Sequence, residues 1–154
     1  MVAEDCPALD AIDRRILREL VEDGRISIRE LAERVALSTS ATSERVRRLE
    51  RRGVVTGYRA VLSPAATGRP LDAVIGVRAH PGADRQALER WFGRQPCIVE
   101  AVHLTGPHDY LLRARCRDTA ELDAVLMAMK ADAGVAETET RVVLRQVPVH
   151  PDLV

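Results

Sequence analysis

Aromatic residues are scarce in this 154-residue chain: Trp91, Phe92, Tyr58 and Tyr110 are the whole supply, 3% of the total. A core built from it must therefore be aliphatic, which the hydrophobic content of 46% permits. Lysine is rarer still, with Lys130 alone beside many arginines and alanines, a bias that points to a GC-rich coding sequence and not to a function. No apolar run is long enough to span a membrane, and the N-terminus lacks the apolar stretch of a signal peptide, so a cytoplasmic protein without membrane contact is expected. The three cysteines, Cys6, Cys97 and Cys116, are odd in number and show no CxxC spacing, which argues against a disulfide framework. They read as reduced thiols, with Cys97 and Cys116 serving as small hydrophobes on strands. His80, His103, His108 and His150 form no HxxxH pair, so no metal site is expected. A nucleophile–base pair at a recognisable spacing and a glycine-rich phosphate loop are both missing, so no catalytic residue is assigned and no cofactor is expected.

Net charge is zero, with 23 basic and 23 acidic residues, so bulk charge names no partner. Local charge does. Between Ser38 and Arg59 lie six arginines (45, 47, 48, 51, 52 and 59) against Glu44 and Glu50, a net of +4. The same stretch has the spacing of a helix-turn-helix. Leu9, Ile12, Ile16, Leu17 and Leu20 recur at helical spacing to about Glu22, with Asp10 and Asp13 in the first turn, where the helix dipole favours an acid. Ser27-Ile28-Arg29-Glu30 is a capping box, and Ile28, Leu31, Ala32 and Val35 form one face of a second helix. Ala36-Leu37 is the turn and Ser38 the N-cap of a third helix over 39–52. In that helix Thr42, Val46 and Leu49 face inward, while Ser40, Glu44, Arg47 and Arg51 lie opposite, with Ser43 flanking. Such a layout suits a helix lying in the major groove of DNA.

Beyond it, Val54 to Leu62 is rich in β-formers and reads as a strand leaving the head. Ser63 to Pro70 is a linker. Leu71, Ala73, Ile75 and Val77 then alternate as a strand, and Leu88, Trp91 and Phe92 mark a helix over 84–93. Strands over 97–104 and 109–116 flank the turn Thr105-Gly106-Pro107-His108. Leu122, Val125, Leu126 and Met129 mark a helix, and 135–147 a last strand. The fold class is thus α+β: an N-terminal helix-turn-helix head over 1–58, a connecting strand and linker over 59–70, and a βαββαβ ferredoxin-like domain over 71–154.

These residues match a known pattern. Leu9-Asp10, Ile12-Asp13 and Ile16-Leu17, then Glu30-Leu31-Ala32, Leu37-Ser38, Arg45-Val46, Arg48-Leu49-Glu50 and Gly53 to Tyr58 resemble the head of Lrp/AsnC-type regulators. Thr105-Gly106-Pro107-His108-Asp109-Tyr110 and Gly134-Val135 with Thr138 and Thr140 resemble that family's sensing domain. The resemblance covers nearly the whole chain. It implies a transcription regulator that binds double-stranded DNA through a winged or near-winged helix-turn-helix head, forms dimers and larger rings, commonly octamers, and responds to a small effector, usually an amino acid, bound between dimers.

Thr39, Ser40, Ser43, Glu44 and Arg47 are the expected base-edge contacts: arginine can bond guanine O6 and N7, and glutamate can accept from cytosine N4. Arg48, Arg51, Arg52 and Arg59 are expected on phosphates. Arg45 lies near the core edge, where a structural ion pair is at least as good a reading. In the second domain the turn from Thr105 through Gly106 and His108 to Asp109 and Tyr110 is the expected effector site. Gly106 lets backbone approach a ligand, its amides can hold a carboxylate, and Asp109 can take an ammonium; a plain hairpin turn in which Asp109 bonds backbone stands beside this reading. By resemblance, Thr138 and Thr140 share one face of the last strand and line the same pocket. If Met127 and Ala128 also face it, an apolar or small neutral effector is favoured. Two other readings remain open, a ring-forming sensor without gene control and a small enzyme.

Overall fold

The computed structural model describes residues 9–147. Cys6 and His150 lie outside them. The chain divides into two compact units between Val61 and Leu62.

The first unit is three helices: α1 (Ala11–Glu22), α2 (Ile28–Val35) and α3 (Thr39–Arg51). Each start is set by a side chain that accepts from an otherwise orphaned N–H three residues on. Asp10 takes the N–H of Asp13 at 2.7 Å, Ser27 that of Glu30 at 3.1 Å and Ser38 that of Ala41 at 3.2 Å. Helix α1 therefore begins at Ala11 and not at Leu9, because Asp10 is its cap. Between α2 and α3 the chain turns through Ala36, held in the left-handed region at φ 59°. Ile16, Leu17, Leu31, Val35, Val46 and Leu49 close the core. Ile28, expected on the buried face of α2, is exposed. It shares the face of Leu31 and Val35 by spacing, but as the first residue of α2 it sits at the end of that face, and it is absent from the core that they close.

The expected strand at Val54 to Leu62 does not form. Val54 and Val55 bend back on the end of α3, both N–H groups donating to the Leu49 carbonyl at 3.0 and 3.3 Å; the stretch enters none of the strand pairings among the described residues, and Val61 is 99% exposed. Strand propensity describes how well a side chain fits a pleated, half-buried surface and does not by itself create a ladder. Tyr58 is anchored in the head by donating its hydroxyl to Glu50 at 3.0 Å and packing beside Gly24.

The second unit runs β1 (Leu71–Ala79), α4 (Arg85–Gly93), β2 (Ile98–His103), β3 (Tyr110–Cys116), α5 (Thr119–Asp132) and β4 (Val135–Val142). The four strands form one antiparallel sheet in the order β2-β3-β1-β4, as a ferredoxin-like βαββαβ chain requires. Strand β4 stops at Val142, short of the expected Val147, where the pairing with β1 ends. Both helices cover one face. Leu88, Trp91 and Phe92 of α4 and Leu122, Val125 and Met129 of α5 bury against Ala73, Ile75, Val77, Leu112 and Ala114. Cys97 and Cys116 are buried in the same core, and burial pushes the Cys116 thiol up to about 12. Among the described residues of this unit, no helix covers the other face of the sheet. Residues directly opposite in an antiparallel pair share a face, so Asp72, Val74 and Gly76 lie there with Arg115, Arg113 and Leu111 of β3 and with Glu139 and Arg141 of β4.

Candidate nucleic-acid interface and ligand site

Helix α3 buries Thr42, Val46 and Leu49. Thr42, fully enclosed, satisfies its hydroxyl by donating to the Ser38 carbonyl at 3.0 Å. Periodicity then dictates the outward face: Thr39, Ser40, Glu44, Arg47 and Arg51 are exposed, with Ser43 half-buried beside them. Arg51 donates to the Glu44 carboxylate at 2.8 Å, with the two side chains 61% and 64% exposed. That hydrogen bond holds the Glu44 carboxyl below its ordinary range. Arg47 has no ion-pair partner among the described residues and points its charge outward from the middle of the face.

The inner edge of α3 is tied to α1 by charge. Asp13, only 2% exposed, accepts from Arg45 at 2.8 Å and from Arg48 at 3.1 Å, and Arg45 also reaches Asp10 at 2.6 Å. The Arg45 bond holds the Asp10 carboxyl below its usual value. Two guanidinium groups of the third helix are thus fixed to the first turn of the first.

In the second unit the segment 105–109 joins β2 to β3. Gly106 takes φ 115°, a conformation that side chains disfavour. Asp109 is woven into the sheet. Its N–H donates to the Val77 carbonyl at 2.8 Å and its Oδ2 accepts from the Ala79 N–H at 2.9 Å, at the bulge that ends β1. Its Oδ1 faces Arg85 at 3.9 Å. The ring of His108 lies flat against Gly76, where a Cβ would come within 2.9 Å, and its Nε2 is 3.4 Å from Glu139. Beyond, Asp72 receives both arms of Arg113 at 3.0 and 2.7 Å, which depresses its carboxyl.

With this geometry in place the comparisons are decisive. Residues 9–56 match the family described as winged helix-turn-helix DNA-binding, and residues 72–153 match the Lrp/AsnC ligand binding domain. The chain belongs to the Lrp/AsnC family. A leucine-responsive regulatory protein of Rhizobium meliloti is 39% identical over 142 residues, covering 90% of this chain and 91% of that protein. A protein of the same name from Haemophilus influenzae is 40% identical over 150 residues, covering 91% and 86%. A transcriptional regulator of Neisseria meningitidis, solved as a complex with L-Met, superposes with a TM-score of 0.89 at 33% identity over 96% of this chain and 97% of that one.

In this Lrp/AsnC chain Thr39, Ser40, Glu44, Arg47 and Arg51 lie exposed on α3, with Ser43 half-buried beside them, as the helical spacing predicts. Arg48, expected on phosphate, turns inward to Asp13. Arg51, expected there too, is engaged by Glu44. Arg52 is half-buried at the helix end, and Arg59 lies on the exposed extended segment. Arg45 makes the structural ion pair. The acid that organises this edge, Asp13, was read from sequence only as a dipole partner; its spacing of three from the cap Asp10 was the available signal.

The expected effector residues are not brought together as one group. Thr138 and Thr140 stand opposite Val77 and Ile75, on the helix-covered side, whereas His108 sits with Gly76 and Glu139 on the uncovered side. Tyr110 is a core residue, 1% exposed; it donates to Glu89 at 2.9 Å, and burial raises its hydroxyl to about 12. Thr105 and Gly106 are exposed at the turn. Met127 is 61% exposed, and Ala128 packs on the core. Two clefts of about 270 Å³ in this unit are lined chiefly from α4 and its neighbours, and the turn residues contribute to neither.

Proposed function

We propose that the protein is a cytoplasmic, homo-oligomeric regulator that binds double-stranded DNA through α3 and alters its assembly or DNA affinity when an amino acid binds the second unit. The observation that carries the reading is the outward face of α3. Hydroxyls at its N-terminal end, an uncommitted Arg47 at its centre and an opposite face buried through Thr42, Val46 and Leu49 suit insertion in a major groove. The L-Met complex of the Neisseria relative supports an amino-acid effector. The uncovered sheet face supports self-association: Val102 and Leu111, 39% and 37% exposed, lie among charges of both signs that a second copy can complement. Any shift the effector causes is bounded by its differential affinity for the two states.

The test is selection of sites from a randomised duplex library, followed by anisotropy titration with and without each of the twenty amino acids, and sedimentation of the same samples. Arg47→Ala should cost about 1–3 kcal/mol at the selected site and relax preference there. A monomer at micromolar concentration, or no enriched sequence, would sink the scheme.

A further inference from the structure

The single acid on the DNA-facing side of α3 is out of place in a purely electrostatic reading. Phosphates repel it, and it neutralises an arginine that would otherwise bind them. We infer that Glu44 is a specificity-determining residue that reads a cytosine and, in doing so, releases Arg51 to the backbone. This rests on the DNA-binding reading above and assigns roles within it.

The argument begins from the pair itself. Glu44 and Arg51 stand two helical turns apart on one face and meet at 2.8 Å. Both are exposed, so the pair opens cheaply. Opening it onto non-specific DNA gains little: Arg51 finds a phosphate, but a bare carboxylate is left facing the groove. Opening is favourable only where the groove offers the carboxylate a donor. Guanine presents acceptors O6 and N7, thymine an acceptor and a methyl, and adenine a donor beside the N7 acceptor. Cytosine alone presents its N4 amino group with no neighbouring acceptor on the same base. A cytosine in reach of Glu44 therefore replaces Arg51 as the carboxylate's partner, and the freed guanidinium takes a phosphate. Base reading and backbone contact become one event, so non-specific DNA receives neither. Glu44 sits at the N-terminal half of α3, the part that meets base edges, and Arg51 at its end.

Full-length wild type, Glu44→Gln, Glu44→Ala and Arg51→Ala are each selected against one randomised duplex library, then titrated on the selected and on random-sequence duplexes across a salt series. Wild type should enrich C·G at one position. Glu44→Gln should move that position to A·T, since glutamine pairs with adenine N6 and N7. Glu44→Ala should flatten it. On random DNA, Glu44→Ala should bind more tightly, with its log–log salt slope steeper by about one because Arg51 is released. Arg51→Ala should weaken the selected site most, through the lost phosphate contact, and random DNA less, through repulsion of the bared Glu44 carboxylate alone. If both Glu44 variants enrich the wild-type base at every position, or Glu44→Ala weakens all duplexes alike, the inference is overturned and the DNA-binding reading stands. If wild type enriches nothing, both fall. Glu44 and Arg51 are both exposed, and coincident melting curves for the four proteins exclude misfolding as the source of these patterns.

Discussion

The two units use charge to different ends. In the head, buried charge positions an exposed surface: Asp13 clamps Arg45 and Arg48 at the inner edge of α3, and the outer edge is left to Arg47, Glu44 and Arg51. In the second unit, charge stiffens the sheet itself. Asp72 ties β1 to Arg113 of β3, and Asp109 closes the bulge at Ala79. The head's functional face is a property of one helix, whereas the second unit's is a property of how strands far apart in sequence are aligned. A change in the head should therefore act on DNA directly, and a change in the sheet should act through register.

The largest effect that separates the two is a cavity. Leu49 is fully buried on the inner side of α3, so Leu49→Ala should destabilise the head by about 2–5 kcal/mol. The second unit has its own core, and its amino-acid binding, read by calorimetry, should survive. Loss of both together would break the comparison. Next comes Asp13→Ala, which strands two guanidinium groups at the α1–α3 edge. Because Arg45 and Arg48 remain 26% and 43% exposed, the cost should be about 2–3 kcal/mol, below that of a fully buried pair. Affinity for a selected duplex should fall with it. Unchanged affinity would mean that the clamp does not set the pose of α3.

A third change sharpens the contrast through pH. The folded Asp72 carboxyl lies below its ordinary 3.8, chiefly because Arg113 bonds its charged form. The resulting stability is complete above that value and is lost as pH falls through the lower folded value. Asp72→Asn should cost about 2 kcal/mol at neutral pH, a charge-assisted bond exchanged for a weak one. The gap to wild type should close below about pH 3.8 in chemical denaturation. A gap that persists into acid would assign the loss to packing.

How much of this was legible in the sequence follows the same divide. The caps at Ser27 and Ser38, the buried trio Thr42, Val46 and Leu49, and the strand and helix order of the second unit depend on neighbours within a few residues, and each is visible as spacing. The destination of Arg48 was not visible, because the acid that captures it lies 35 positions away. The arrangement of the expected effector residues depends on the same kind of long-range pairing. Alternation along β4 puts Thr138 and Thr140 on one face and Glu139 on the other, but which face meets His108 is decided by pairing with β1. Strand propensity at Val54 to Leu62 yields to the end of α3, where the Val54 and Val55 N–H groups are taken by the Leu49 carbonyl.

The smallest expected effect is the most discriminating. Gly76 leaves the space that the His108 ring occupies, and an added methyl would sit 2.9 Å from its Cδ2. The backbone of β1 is held on both sides by β3 and β4, so the ring must give way. Gly76→Ala should cost about 1 kcal/mol, the lower end for inserting a methyl into filled space, and should part His108 from Glu139. Nothing on α3 is touched, so affinity for a selected duplex without amino acid should equal wild type. If the uncovered face carries the effector response, the shift that an amino acid produces should change, and anisotropy titrations with and without it read both quantities at once. Weakened binding without effector would show that the sheet reaches the head even in the unliganded protein, and an unaltered response would move the effector's influence away from the His108 side, toward the helix-covered side where Thr138 and Thr140 stand.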